Sequence, residues 1–166
     1  MVNPYPSTSP QFLVRARKRH FLPFLLTALF GSAAAAHQGA TGIVLERMEL
    51  MKSMENEMKA LRRILLDEQP VEPGAVQVHA QTLHKASRGI ATRFPMGSAD
   101  PHSHALPAVW ERPEEFRLLA ARLDVSTEEL LRLASASADR QQLIAATKAV
   151  GSVCQSCHEL FKKPED

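Results

Sequence analysis

The stretch DRQQLIAATKAVGSVCQSCHELFKKP, residues 139–164, decides the fold. Asp139 with Gln142 three residues on is the pattern of a capping box, in which each side chain bonds the other's backbone N–H. Leu143, Thr147, Val150, Cys154, Cys157 and Phe161 then recur at steps of four and three, which places them on one face of a helix. Lys162 and Lys163 suit the negative C-terminal end of that helix, and Pro164 closes it.

Working outward, three further segments carry the same period. Val44, Met48, Met51, Met54, Met58, Leu61 and Leu65 form a core-facing stripe, with Glu49, Lys52, Glu55, Lys59 and Arg63 largely outside it. Pro70 and Pro73 end that segment. A second helix is predicted from about Gly74 to Thr92, with Val76, Ala80, Leu83, Ser87 and Ile90 on one face, and Phe94-Pro95, Gly97 and Pro101 stop it. A third begins near Pro113, with Glu114 and Glu115 beside the positive helix end and Phe116, Ala120, Leu123, Leu130 and Ala134 on its face. Ser126-Thr127-Glu128-Glu129 is also a capping signature, which would break this segment near Asp124. Residues 95–109 form the one long connection, and a loop of that length in a compact domain usually packs over something or serves a function. Four helices with mostly short connections predict an all-α fold, an antiparallel four-helix bundle.

Composition agrees. Aromatics make up 5% of the 166 residues, and Ala and Leu dominate, a balance that suits helices rather than strands. The net charge of +2 is unevenly placed. Residues 1–36 hold Arg15, Arg17, Lys18 and Arg19 with no acid, leaving 16 basic against 18 acidic residues in the remainder. A nucleic-acid partner is thereby disfavoured. The basic cluster, the apolar run Phe21–Phe30 and the small residues up to Ala34-Ala35-Ala36 read as an export signal cleaved before His37. The alternative, an uncleaved anchor, is disfavoured because the run falls short of the roughly 20 residues that span a bilayer. The expected organisation is a signal peptide over 1–36 and one helical domain over 37–166. The mature protein is expected in the periplasm of a Gram-negative bacterium, off the membrane.

Cys154-Gln155-Ser156-Cys157-His158 carries the chemistry. C-x-x-C-H is the attachment sequence of a c-type haem. On a helix, positions 154, 157 and 158 are neighbours one turn apart, so two sulfurs and an imidazole face one side. The thiols can add to vinyl groups on one edge of the macrocycle, and His158 can reach the iron as proximal ligand. Three other readings compete. A disulfide oxidoreductase would need a βαβ pattern that is lacking, and a structural zinc site would want four ligands. A disulfide within four residues would cross-link almost nothing. The same five residues count against a haem-free bundle acting as an adaptor or metal chaperone.

The chain also resembles the class II cytochromes c, the cytochrome c-prime group and its low-spin, methionine-ligated relatives. The resemblance rests on Cys154-x-x-Cys157-His158 with Lys162 one turn later, on Arg47-Met48-Glu49-Leu50-Met51-Lys52 in the first helix, and on Pro107-Ala108-Val109-Trp110. It implies a bundle carrying one covalent haem c and no enzymatic activity. It places Arg47 near the haem propionates, where a guanidinium binds carboxylates through paired bonds. The competing reading of Arg47 is a solvated residue pairing with a neighbouring Glu; the haem role is favoured. Lys162 matches a basic residue near the proximal histidine. Met51 matches the position facing the distal side, where it is either the second axial ligand or a packed lid; methionine also fills core gaps, as Met48, Met54 and Met58 do on the same stripe. His79, His84, His102 and His104 match nothing in the family and read as surface or loop residues.

Two functions follow. With Met51 ligated, the resemblance implies a periplasmic carrier of single electrons that docks transiently on redox partner proteins. With Met51 as a lid, it implies a five-coordinate protein that binds nitric oxide or carbon monoxide. Relatives of the second kind are commonly homodimers packed through the first two helices; the charged outer face of the first helix here counts against that packing, so a homodimer is only weakly expected.

Overall fold

The computed structural model describes residues 40–72 and 74–164, so the expected signal peptide lies outside the described residues. The helices are α1 (Gly42–Leu66), α2 (Ala75–Ser87), a four-residue α3 (Ala108–Glu111), α4 (Pro113–Ser135) and α5 (Arg140–Phe161), with a 3-10 turn at Ala91–Arg93. Among the described residues no strand forms; one isolated antiparallel bridge joins Ala105 to Lys162. The four long helices pack as a ring, α1 on α2, α2 on α4, α4 on α5 and α5 back on α1. The short connections from α1 to α2 and from α4 to α5 make those pairs antiparallel, as in up-down bundles.

Each helix buries the face its period selects. Leu61 and Leu65 of α1, Val76, Ala80 and Leu83 of α2, Phe116, Leu119, Leu123 and Leu130 of α4, and Leu143, Ala146 and Val150 of α5 form one core. The outer face of α1 is occupied by Lys52–Glu55–Lys59 ion pairs at helical spacing. Gly74 starts α2 in the left-handed region at φ 84°, a conformation that L side chains rarely adopt. The α5 capping box is present in full: Gln142 N–H donates to Asp139 Oδ1 at 2.9 Å, and Asp139 N–H donates to Gln142 Oε1 at 3.2 Å.

Two boundaries differ from the sequence reading. The second helix stops at Ser87, short of Thr92, and the chain continues as the 3-10 turn; Ile90 is nevertheless buried as its period requires. The alternative break near Asp124 does not occur, because the residues that signalled it bond inside the helix. Ser126 Oγ donates to the Arg122 carbonyl at 2.9 Å and Thr127 Oγ1 to that of Asp124 at 2.9 Å. Such back-bonding occupies hydroxyls that would otherwise cap. Thr127 is fully buried and meets Ser87 Oγ at 2.9 Å and His84 Nδ1 at 3.2 Å, a polar contact that joins α4 to α2.

The two ends of the α1–α5 pair are tied differently. At one end Arg140 donates to the carbonyls of Leu65, Asp67 and Gln69, satisfying acceptors that the end of α1 leaves unpaired. At the other, the N-terminal half of α1 and the last turns of α5 border a cleft.

Candidate functional site

The cleft is lined by Arg47, Met48 and Met51 from α1, by Cys157, His158 and Phe161 from α5, and by Lys162 just beyond it. Phe94, Val109 and Phe116 supply more of its apolar wall, while Ser103, His104 and Ala105 come from the long connection. The rings are interlocked: Phe116 meets Phe94 and Phe161 edge-on, with centroids 4.9 and 5.4 Å apart. That edge-to-face geometry is the favoured one for aromatic pairs.

Cys154 and Cys157 are half-buried on the core side of α5 and form no disulfide with each other. Burial pushes the Cys154 thiol above its ordinary range; burial, and secondarily the neighbouring Cys154, pushes Cys157 up to about 11. Both sulfurs are therefore neutral near pH 7. A redox-active dithiol needs the opposite, a thiolate stabilised by positive surroundings. Among the described residues no group of three or more His, Cys, Asp or Glu is placed to hold a metal ion, which leaves the zinc reading without its ligands.

Arg47 is 2% exposed, so its reading as a solvated partner of a neighbouring Glu is overturned. Its guanidinium lies 5.0 Å from the Phe94 centroid and 5.5 Å from that of Trp110, stacked as a cation on aromatic faces. Nη1 donates to Ser98 Oγ at 3.2 Å and Nη2 to the Ser98 carbonyl, while the buried Nε has no hydrogen-bond partner. Burial lowers the Arg47 pKa and nearby Asp100 opposes that shift. A buried guanidinium with an unused donor, on the wall of an apolar cleft, suits an anionic group at the edge of a flat apolar ligand. The donor set fits a haem: two neutral thiols one turn apart, an adjacent imidazole, apolar walls and a cation at the periphery.

The long connection packs over something, as its length predicted. Trp110 Nε1 donates to the Pro95 carbonyl at 2.8 Å, closing the loop on itself. Leu106 N–H donates to the Phe161 carbonyl at 2.9 Å, and Lys163 N–H to that of His104 at 2.8 Å. Of the four histidines set aside in the sequence, His79 pairs with Glu57 at 2.6 Å, His84 lies 3.3 Å from Asp124, and His102 pairs with Asp100 at 2.9 Å. His104 alone of these lines the cleft. Sequence reasoning missed Phe94, Ser98 and Lys163 as parts of this region. The Phe94-Pro95 pair was read only as a helix stop, and nothing in the local pattern linked it to Arg47.

The family model described as Cytochrome C' matches residues 42–162. Cytochrome c-556 of Agrobacterium fabrum is 31% identical over 134 residues, covering 81% of this chain and 90% of that protein. Cytochrome c' of Pararhodospirillum photometricum is 29% identical over 118 residues, covering 70% and 93%. Among solved structures, cytochrome c' from Rubrivivax gelatinosus superposes with a TM-score of 0.67 at 21% identity, over 73% of this chain and 94% of that one. That likeness concerns the fold.

Proposed function

The chain belongs to the cytochrome c' family, as a c-type haem cytochrome, and from that premise we propose that it is a carrier of single electrons with His158 and Met51 as the two axial ligands. One observation carries the proposal: Met51 on α1 and His158 on α5 line the same cleft from different helices. A flat ligand seated between those walls has a donor side chain from each. Cys154 and Cys157 would hold it as thioethers, and Arg47 would receive its carboxylates. Haem c supplies a ferric–ferrous couple when bound, and a thioether ligand favours the ferrous side and raises the potential.

The chain's own residues set the conditions for that couple. Phe94, Val109, Phe116 and Phe161 keep water from the apolar walls. The aromatic stack around Arg47 holds one positive charge at a fixed place, which limits how far that side chain has to reorganise when an electron arrives or leaves. A rigid, pre-oriented surrounding suits outer-sphere transfer and leaves no substrate chemistry to perform. The partners are redox proteins that dock transiently. We place the mature protein in the periplasm, and no described helix is long and apolar enough to cross a membrane.

Absorption spectra of the oxidised and reduced holoprotein test the ligation. A near-infrared sulfur-to-iron band that Met51→Ala abolishes and Met48→Ala preserves is the expected result. A high-spin spectrum indifferent to Met51→Ala and shifted by carbon monoxide overturns the carrier reading in favour of gas binding. A band that follows Met48 instead moves the ligand by one helical turn, since Met48 lines the same cleft.

A further inference from the structure

We propose that Lys163 is a positioning residue that straps the 103–106 segment onto the last turn of α5 and so fixes the wall of the cleft beside His158; the inference rests on the haem-site reading above.

The segment and the end of α5 run antiparallel and share a ladder of bonds. Ala105 bridges to Lys162, Leu106 N–H donates to the Phe161 carbonyl at 2.9 Å, and Lys163 N–H donates to the His104 carbonyl at 2.8 Å. These are backbone contacts that many sequences can make. The side-chain contact is particular to this residue: Lys163 Nζ donates to the Ser103 carbonyl at 2.7 Å, across 60 residues of chain. Ser103 is 4% exposed, so its carbonyl has little water to replace that donor. Ser103 Oγ in turn accepts from Ala105 N–H at 3.1 Å, which folds the segment into a tight turn at the cleft.

Position gives the strap its consequence. Ser103, His104 and Ala105 line the same cleft as His158 and Lys162. Arg112 also holds this helix end, over the Phe161 ring at 5.2 Å and on the Leu160 carbonyl at 3.4 Å. The last turn of α5 is thus held by Arg112 and by the strap together. Releasing the strap loosens the wall that Ser103, His104 and Ala105 give the cleft and admits more water along it, and greater polarity there favours the ferric form and lowers the reduction potential.

The test compares Lys163→Met and Lys163→Arg in holoprotein made with its haem attached, reading amide hydrogen exchange and midpoint potential together. Lys163→Met is expected to speed exchange at the Leu106 and Lys163 amides about tenfold and to lower the potential. Lys163→Arg, which keeps a donor, is expected to restore most of both. Unchanged exchange in Lys163→Met overturns the strap. Faster exchange with an unchanged potential overturns its influence on the site. The near-infrared band of the same samples reports Met51 separately, so failure of the ligation reading leaves a different signature.

Discussion

The two ends of the α1–α5 pair are built from one continuous stripe on each helix and finish differently. At the end near Arg140, Leu61 is 0% and Leu65 3% exposed, and facing residues such as Val150 and Leu130 leave no accessible surface. At the other end the same α1 stripe arrives as Met48 and Met51, half-buried, and the α5 stripe as Cys157, half-buried, around an apolar cleft. The branched leucines complete a protein core by themselves. The methionines and the thiol are flexible or polarisable groups lining the cleft that the proposed haem would occupy. A helical period selects the inward face in both halves; residue type distinguishes a face that packs on protein from one that borders the cleft.

The largest expected effect lies on the cleft side. Replacing both Cys154 and Cys157 with Ala removes covalent attachment altogether, so haem staining after denaturing electrophoresis should disappear. Retained staining would break the assignment of the thiols.

Next is the packed end, where Leu61→Ala should cost about 3 kcal/mol in denaturant unfolding, because a fully buried leucine leaves a cavity. Met51→Ala should cost about 1 kcal/mol in packing while changing the spectrum, the reverse of Leu61→Ala, which should leave the spectrum alone. Equal stability losses with equal spectral changes would erase the distinction between the two ends.

The smallest effect concerns the solvent face of α1. Hydrogen bonds from Lys59 and then Lys52 hold the Glu55 carboxyl at about 2, below the ordinary 4.5. Because the folded pKa is depressed, the stabilisation is present above about 4.5 and lost as pH falls toward 2. Glu55→Gln should flatten that acid limb slightly in pH-dependent unfolding, and added salt should do the same, since the pairs are exposed and screened. An unchanged limb would show that these pairs add nothing to the helix.

Legibility in the sequence followed the range of the interactions. The α5 capping box, the Pro113 start of α4 and the stripes of all four long helices rest on contacts between near neighbours, and each stood in the sequence. Helix ends were less legible where a tertiary contact intervened. Thr127 reads as a cap by its neighbours, yet it is buried against Ser87 and His84 from α2 and stays inside an unbroken α4. Arg47 shows the same limit from the other side. Its period places it beside the core stripe, but the rings of Phe94 and Trp110 that desolvate it lie about 50 and 60 residues away in the chain.

Periodicity, caps and the C-x-x-C-H spacing act within one or two helical turns, so the helical class, the antiparallel order and the proposed haem-attachment turn are legible in the chain alone. Only packing sets which loop walls the cleft, which cation is buried beside it, and that Lys163, read in the sequence as complementing the end of α5, also answers the buried Ser103 carbonyl. Those outcomes depend on groups brought together by packing, and a buried polar atom takes whichever partner the fold places within reach.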